Sequence, residues 1–291
     1  MIPDEKDLLK IIDSALNEDI GDGDHTSLAT IPASAKGQAK LLVKTEGILA
    51  GVELARFIFR RVDPMLEMEV FIEDGAKVKK GDIAFHVRGA SRSIVVAERL
   101  VLNFMQRMSG IATKTNQLAK LIEDLPTKLL DTRKTTPCVR LMEKWAVRIG
   151  GGTNHRFALY DMVMIKDNHV DYAGGIKNAI IRTNNYLSEK GKDLRVEIET
   201  RNLDEVKQVL EVGDVDRIML DNFTPDEIRE ALEYIDSNQF ETEASGDINA
   251  ENIRSYAETG VDFISSGALT HSYQSLDLSL KAEFDLEEGV I

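Results

Sequence analysis

Six short apolar runs, each followed by a helical pattern, recur between residues 128 and 271 and constrain the fold more than any other feature. The runs are KLLDTRK, DMVMIKD, RVEIET, RIMLDN, FETEASG and DFISSGAL. The helical patterns include AGGIKNAIIRTNNYL, NLDEVKQVLEV, TPDEIREALEYI and NAENIRSYAET, each opening near an Asn, Thr or Gly cap. Such alternation requires parallel strands with right-handed crossovers, so it predicts a (β/α) barrel or a doubly wound sheet.

Polar residues stand at the C-terminal end of strand after strand. In chain order they are Arg133 and Lys134, Lys166 and Asp167, Glu199, Asp221 and Asn222, Ser245 and Gly246, and Ser266 and Gly267. Because (β/α) barrels place their active sites at this end of the strands, the pattern favours a barrel. Only six strands are evident, so we expect the barrel to be open or irregular.

The first part of the chain has a different rhythm and predicts an α+β domain over residues 1–112. A short amphipathic helix comes first, and short strands such as AKLLV and EVFI follow, with the helix GVELARFIFRRV among them. A long helical pattern runs from Ile94 to about Glu123. We expect the barrel to span 113–273 and the tail, 274–291, to return to the first domain, because LDLSLKAEFDL alternates apolar and polar residues.

Charge is distributed unevenly along the chain. The segment from Asp131 to Val170 holds seven Lys and Arg against four Asp and Glu, a charge of +3, which leaves −17 for the rest of a chain whose formal charge is −14. Cations gathered against the field of the whole protein indicate an anionic ligand, small and multiply charged. The overall acidity argues against nucleic-acid binding, which requires an extended basic surface.

Composition also bears on the compartment. The single cysteine, Cys138, excludes an intramolecular disulfide and fits a reducing environment. The opening residues, MIPDEKDLLK, lack the basic and apolar regions of a signal peptide, and no run approaches the ~18 apolar residues of a membrane span. We therefore expect a cytoplasmic protein that does not bind membranes.

The order of polar residues along the barrel suggests how a ligand is divided between them. Cations come from the early strands and carboxylates from the middle strands. This suits an anion held by Arg and Lys beside a phosphate-bearing substrate whose Mg²⁺ is held by carboxylates, directly or through water. Gly246 and Gly267 would let backbone N–H groups approach a phosphate. Taken singly, each of these residues fits a surface or capping role; Cys138 is expected to be a small packing residue, and His271 to be structural.

The motifs, taken together and in order, closely resemble the quinolinate phosphoribosyltransferase family. They are DTRKTTPxxR, GGGxxHR, IKDNHV, VEIE, LDNF, EASG and SGALTHS, and the upstream segments EDIGDGDHTS and ERLVLNFMQRMSGIAT extend the resemblance over nearly the whole chain. The resemblance implies an N-terminal α/β sandwich domain, an open (β/α) barrel and a homodimer whose active sites are shared across the interface. It also implies transfer of the phosphoribosyl group of phosphoribosyl pyrophosphate to quinolinate with decarboxylation, giving nicotinate mononucleotide.

The resemblance assigns roles to individual residues. Around the two carboxylates of quinolinate it places Arg133, His155, Arg156 and Lys166, with Arg99 entering from the partner subunit. Against phosphoribosyl pyrophosphate and its Mg²⁺ it places Lys134, Glu199 and Asp221, and around the 5′-phosphate Ser245, Gly246 and Gly267. Catalysis is expected to depend on Lys134, Lys166, Glu199 and Asp221, and no organic cofactor is needed.

Two residues depart from the family pattern, which usually has glycine at both positions. Cys138 should be tolerated if its turn does not require a positive φ. Asp247 adds negative charge beside the expected phosphate site, unless it caps the following helix.

Other functions remain open on the sequence alone. A molybdenum-uptake-associated relative has the same fold, but Lys166 together with His155 and Arg156 favours the transferase. A barrel lyase could use Lys166 as a Schiff-base nucleophile. A non-catalytic metabolite-binding role is disfavoured by the presence of both the cationic cluster and the carboxylates Glu199 and Asp221.

Overall fold

A computed structural model describes residues 2–283 of the chain, and they divide into two compact units. The first comprises the described residues up to Asn116, the segment Thr135–Gly151 and the described residues from Ser272 onward. The second comprises Gln117–Lys134 and Gly152–His271. Residues 135–151, which were predicted to belong to the barrel, pack in the first unit instead. A Cβ on Gly150 would lie 2.4 Å from the carbonyl oxygen of Ala112.

The secondary structure alternates in the second half of the chain as the sequence predicts. The elements are α1 (Glu5–Ile20), α2 (His25–Thr30), β1 (Lys36–Val43), β2 (Gly47–Ile48), α3 (Val52–Val62), β3 (Glu67–Val70), β4 (Lys77–Val78), β5 (Ile83–Ala90), α4 (Ser91–Lys120), β6 (Lys128–Leu130), α5 (Arg140–Ile149), β7 (Val163–Ile165), α6 (Asp167–Ala173), α7 (Ile176–Lys190), β8 (Val196–Thr200), α8 (Leu203–Val212), β9 (Arg217–Asp221), α9 (Pro225–Leu232), β10 (Glu241–Ser245), α10 (Ile253–Ala257), β11 (Phe263–Ser265), α11 (Ala268–His271) and β12 (Leu278–Glu283). Within the described residues, no helix is both long and apolar enough to cross a membrane.

The first unit is built on a four-stranded antiparallel sheet with the order β12-β1-β5-β3, beside a small β2-β4 pair. Alternate residues of β1 are buried, which is the pattern of a sheet covered on one face. Phe59 of α3 meets Phe85 of β5 edge to face in its core. The described part of the C-terminal tail forms β12, which pairs with β1 from Val43↔Leu278 to Gln38↔Glu283. Residues 284–291 of the predicted tail lie outside the described residues.

The second unit contains a six-stranded parallel sheet with the order β6-β11-β10-β9-β8-β7. All six predicted strands are present. Beyond the edge strand β6, Leu130 forms a single parallel bridge with Thr153, and the sheet ends at β7 on its other edge. The predicted fold class, an open (β/α) barrel preceded by an N-terminal α+β domain, is confirmed.

Helices of the second unit begin where the sequence places capping residues. Asn202 accepts a hydrogen bond from the backbone N–H of Glu205 at the start of α8, and Thr224 forms a reciprocal capping box with Glu227 at the start of α9. Because each cap ends a strand-to-helix loop, it also fixes how the preceding strand end is presented.

Candidate active site

The C-terminal ends of the strands in the second unit surround a cavity of about 790 Å³. This volume lies within the range that holds small-molecule substrates. Ten of the eleven residues predicted from the sequence line it: Arg133, Lys134, His155, Arg156, Lys166, Glu199, Asp221, Ser245, Gly246 and Gly267. The folded strands thus bring together residues that are spread over more than 130 positions of sequence, as a parallel barrel does.

Lys166 and Glu199 form an ion pair at the mouth of this cavity. The Nζ of Lys166 lies 2.8 Å from Oε2 of Glu199. The Lys166 side chain is 45% exposed, whereas that of Glu199 is 9% exposed. Lys166 stands at the N-terminus of α6 and Glu199 near the end of β8, so the pair links neighbouring strands β7 and β8. The ammonium group remains accessible to an anion while it neutralises the carboxylate behind it.

The guanidinium groups of Arg133 and Arg156 lie close to one another at the cavity. Arg156 is partly buried and donates a hydrogen bond from Nη1 to the carbonyl oxygen of Met162 at 3.3 Å. Burial, and next the charge of nearby Arg133, lower the pKa of Arg156 from its usual value. Holding two like charges together is unfavourable, so an anion that bridges them would be bound with a gain in free energy.

Lys134 packs closely against Gly267 in the loop after β11. A Cβ on Gly267 would lie 2.8 Å from Cδ of Lys134 and 3.0 Å from Nε2 of His271. Thr270 donates a hydrogen bond to the carbonyl oxygen of Lys134 at 2.8 Å, which fixes the backbone of this lysine. His271, expected to be structural, is among the residues that line the cavity.

The turn after β10 contains Gly246, whose φ of +105° places it in the region that favours glycine. Asp247, the next residue, also has a positive φ, +44°, and lines the cavity. The expectation that Asp247 caps the following helix is wrong, because α10 begins at Ile253 with Asn252 as its N-cap residue. The Asp247 carboxyl therefore stays beside the cavity as a negative charge.

Cys138 also differs from its expectation. Its φ is +67°, so its turn does adopt the backbone conformation that glycine accepts most easily. The side chain is exposed and does not pack in a core. Cys138 is not among the residues that line the cavity.

A buried ionic cluster forms part of the cavity wall, since two of its four members, His155 and Glu243, line the cavity. Only His155 was predicted from the sequence. The Nε2 atom of His155 lies 2.9 Å from Oε2 of Glu197 and 3.3 Å from Oε2 of Glu243. Nη1 of Arg217 donates a hydrogen bond to Glu243 at 3.0 Å. All four residues are buried. Strand alternation was the available signal, since Glu197 is two residues from Glu199 in VEIET and so faces the same side of the strand.

Protons are shared unevenly within this cluster. Burial lowers the pKa of His155, but Glu197 and Glu243 outweigh it and raise the pKa to about 9. Burial, and then the charge of Glu243, raise the pKa of Glu197 to about 7. Burial also raises the pKa of Glu243, but His155 and Arg217 more than compensate, so this carboxyl stays ionised. Within this cluster, Glu197 is therefore the group that exchanges a proton near neutral pH.

The cationic segment recognised in the sequence serves two different places. Arg133, Lys134, Arg156 and Lys166 line the cavity of the second unit. Arg140, Lys144 and Arg148 lie on α5, which belongs to the first unit. Sequence position alone could not separate the two groups, because the chain passes from the second unit to the first and back within the segment.

Arg99 is the predicted site residue that does not line this cavity. It lies on α4 in the first unit, beside a separate cavity of about 410 Å³. The other lining residues come from the start of α4 and from the loop and helices near residues 19–26: Asp19, Ile20, Gly23, Asp24, His25, Thr26, Val95 and Val96.

Family models identify the chain over most of its length. The model described as quinolinate phosphoribosyl transferase, N-terminal domain, matches residues 24–109, and the model for the C-terminal domain matches residues 111–281. The chain belongs to the quinolinate phosphoribosyltransferase family. The family predicted from the ordered motifs is confirmed.

Individual members of the quinolinate phosphoribosyltransferase family are similar to the chain along nearly its whole length. The chloroplastic nicotinate-nucleotide pyrophosphorylase [carboxylating] of Oryza sativa subsp. japonica is 49% identical, over 96% of this chain and 79% of that protein. A probable enzyme of the same name from Bacillus subtilis (strain 168) is 39% identical, over 94% and 92%. The nicotinate-nucleotide pyrophosphorylase structure from Francisella tularensis superimposes with a TM-score of 0.88 at 39% identity, covering 97% and 98% of the two chains.

Proposed function

We propose that the chain is a pentosyltransferase that joins quinolinate to the phosphoribosyl group of phosphoribosyl pyrophosphate, with loss of carbon dioxide, to give nicotinate mononucleotide and pyrophosphate. The reaction is a step of NAD biosynthesis. The observation that carries the proposal is the cavity of the second unit, where four Lys and Arg side chains face carboxylates from neighbouring strands. Family membership at 49% identity to a relative named for this reaction supports the same function.

Quinolinate is proposed to bind on the cationic side of the cavity. Arg133 and Arg156 offer planar guanidinium groups that grip carboxylates through paired hydrogen bonds, and Lys166 adds a compact charge. Each such charge-assisted bond contributes about 1.5–3 kcal/mol, so several together hold a small dianion. His155 closes the floor of this region through its buried contacts with Glu197 and Glu243.

Phosphoribosyl pyrophosphate is proposed to bind on the opposite side. Lys134 would neutralise phosphate charge, and the backbone at Ser245, Gly246 and Gly267 would receive the 5′-phosphate, since glycine lets N–H groups approach it closely. Glu199 and Asp221 end adjacent strands and present carboxylate oxygens, the ligand type that Mg²⁺ prefers, so they fit the metal directly or through water. When bound, Mg²⁺ would neutralise charge on the pyrophosphate leaving group.

The bond changes follow from this arrangement. The pyridine nitrogen of quinolinate forms a bond to C1 of the ribose while the bond from C1 to the pyrophosphate oxygen breaks, and the electron pair leaves with pyrophosphate. Positive charge develops at C1, where Glu199 and Asp221 stabilise it as fixed negative groups. In the resulting pyridinium, the bond to the adjacent carboxylate breaks, the ring nitrogen accepts its electrons, carbon dioxide leaves and a proton takes its place.

The active unit is proposed to be a homodimer in which Arg99 completes the site of the partner. Arg99→Ala should then lose activity while it folds normally. Mixing it with Lys166→Ala should recover roughly a quarter of wild-type activity, because random exchange makes half of the dimers mixed and each mixed dimer has one intact site. Absence of recovery, with subunit exchange shown independently, would mean that Arg99 acts within its own chain.

A cytoplasmic location is proposed on the single cysteine, which fits a reducing compartment. Plant relatives are named as chloroplastic or mitochondrial, so the compartment differs within the family. Localisation of a tagged full-length chain by fractionation decides the point: recovery in an organelle fraction contradicts the proposal.

The reaction is tested with the purified protein, quinolinate, phosphoribosyl pyrophosphate and Mg²⁺. We expect equal amounts of carbon dioxide and nicotinate mononucleotide. Omission of Mg²⁺ should abolish turnover. Arg148→Ala, which changes a cation of α5 that is not among the residues lining the cavity, should retain turnover. Trapping of a Schiff base at Lys166 by borohydride with a carbonyl substrate, together with absence of nicotinate mononucleotide, would instead support the lyase.

A further inference from the structure

Asn222 has a backbone conformation that most residues avoid. It directly follows β9 with a φ of +59°, in the left-handed region. Glycine adopts this conformation without steric hindrance, and asparagine tolerates it better than most residues. Strained conformations of this kind persist where the surroundings fix them, and they cluster at functional sites.

The side chain of Asn222 lies between two parts of the substrate cavity. Its Nδ2 donates a hydrogen bond to Oδ2 of Asp221 at 2.7 Å. Its Oδ1 lies where a Cβ on Gly246 would approach to 2.3 Å, so the amide occupies the space beside that glycine. The backbone N–H of Asn222 donates to the carbonyl oxygen of Ser245 at 2.8 Å. Asn222 thus contacts the carboxylate at the end of β9 and the turn at the end of β10.

We propose that Asn222 is a positioning residue that holds the Asp221 carboxylate and the Gly246 turn at a fixed spacing. The amide occupies one oxygen of Asp221 and leaves the other free to face the cavity. The same amide fills the space beside Gly246 and so keeps the turn in its positive-φ conformation. Both elements then meet one molecule of phosphoribosyl pyrophosphate, the carboxylate near the ribose and the turn at the 5′-phosphate. The proposal rests on the proposed function, since it concerns how that substrate is bound.

Asn222→Gly separates the side chain from the backbone strain. Glycine accepts a φ of +59° freely, so the melting temperature should hold or rise. Affinity for phosphoribosyl pyrophosphate, measured by calorimetry with Mg²⁺ and without quinolinate, should fall about tenfold, the effect of one lost hydrogen bond. The KM for phosphoribosyl pyrophosphate should rise in parallel, and the KM for quinolinate should stay unchanged.

Two further variants separate the positioning role from general effects. Asn222→Asp keeps the shape but replaces the donor with a second carboxylate beside Asp221, so it should lose as much affinity as Asn222→Gly. Asp214→Gly is the matched control, because Asp214 also has a positive φ, +55°, and precedes the opposite end of the same strand. It should leave the affinity for phosphoribosyl pyrophosphate at the wild-type value.

The proposal is overturned if Asn222→Gly or Asn222→Asp binds phosphoribosyl pyrophosphate with wild-type affinity. It is also overturned if Asn222→Gly weakens quinolinate and phosphoribosyl pyrophosphate alike, which would indicate a general loss of structure. Failure of the wild-type protein to form nicotinate mononucleotide would contradict the proposed function itself, so the two failures are distinguishable.

Discussion

The strands of the second unit carry charged side chains at two depths, partly exposed at the cavity or fully buried. The charges are compensated differently at the two depths. At the cavity, Lys166 is half-exposed and pairs with a single carboxylate, Glu199. Two residues deeper along β8, Glu197 is fully buried and meets His155. The deeper charges largely satisfy one another, whereas the cavity gathers cations, such as Arg133 beside Arg156, that repel each other.

This difference separates stability from binding. Removing one partner from a buried ionic cluster leaves an uncompensated charge in a medium of low polarity, so stability depends on it. Removing a partly exposed charge at the cavity costs little stability, because water solvates what remains. We therefore expect variants of the buried cluster to lower the stability of the protein, and variants of the partly exposed cavity residues to abolish binding with little loss of stability.

The largest effect is expected for Glu243→Ala, which removes a buried carboxylate that Arg217 and His155 both contact. The free energy of unfolding should fall by about 3–5 kcal/mol, the usual result of breaking a buried pair. Glu199→Ala should lower it by less than about 1 kcal/mol, because its partner Lys166 is half-exposed. Urea unfolding of both variants checks the contrast, and equal losses would mean that the two depths do not differ.

Exchanging one cation for another at the cavity should be the next largest effect. Arg156→Lys keeps the charge but loses the planar pair of donors, so kcat/KM for quinolinate should fall about a hundredfold, nearly as far as in Arg156→Ala. Arg133→Lys should behave in the same way. Steady-state kinetics measure both. A Lys variant with near wild-type efficiency would show that the residue contributes only its positive charge and not a pair of hydrogen bonds.

The pH dependence of stability should come from the buried ionic cluster. Folding raises the pKa of Glu197 to about 7, so the folded protein keeps a proton that the unfolded chain releases, and stability falls as pH rises from about 4.5 to 7. The raised pKa of His155 contributes stability below about 6.5 that is lost as pH rises towards 9. In Glu197→Gln, the free energy of unfolding, measured in urea between pH 5 and 7, should fall less steeply with pH than in the wild-type protein.

The control for this pH effect is Glu251→Gln, which changes an exposed carboxyl. It should retain the wild-type slope. An unchanged slope in Glu197→Gln would place the titration elsewhere.

The smallest effects are expected at Cys138 and Asp247, which both have a positive φ. Cys138→Gly and Asp247→Gly both relieve a positive φ, so each should raise stability by up to about 1 kcal/mol. Only Asp247 lines the cavity, so only Asp247→Gly should also lower the KM for phosphoribosyl pyrophosphate, by about threefold for one removed surface charge. Thermal unfolding and kinetics test the pair. A lower KM in Cys138→Gly would contradict the distinction.

The residues that line the cavity were easier to predict from the sequence than the buried ionic cluster, for physical reasons. Strand alternation, caps and polar strand ends are local signals, and they correctly placed Lys166, Glu199 and Asp221 around one cavity. The cluster of His155, Glu197 and Glu243 depends on which strands become neighbours, and glutamates in a strand ordinarily read as surface residues. The φ of Cys138 is likewise set by the fold around its turn, because nothing in TTPCVR requires it.

We expect the cations at the cavity to bind a ligand with two carboxylates. The most direct test is the ratio of kcat/KM for quinolinate to that for nicotinate, which lacks one carboxylate. Nicotinate would leave a desolvated cation without a partner, so the ratio should be at least about a hundredfold. In Lys166→Met this ratio should be smaller, because one cation fewer is available to bind the second carboxylate. Comparable kcat/KM of the wild-type protein for the two acids would contradict the binding of a dicarboxylate by these cations.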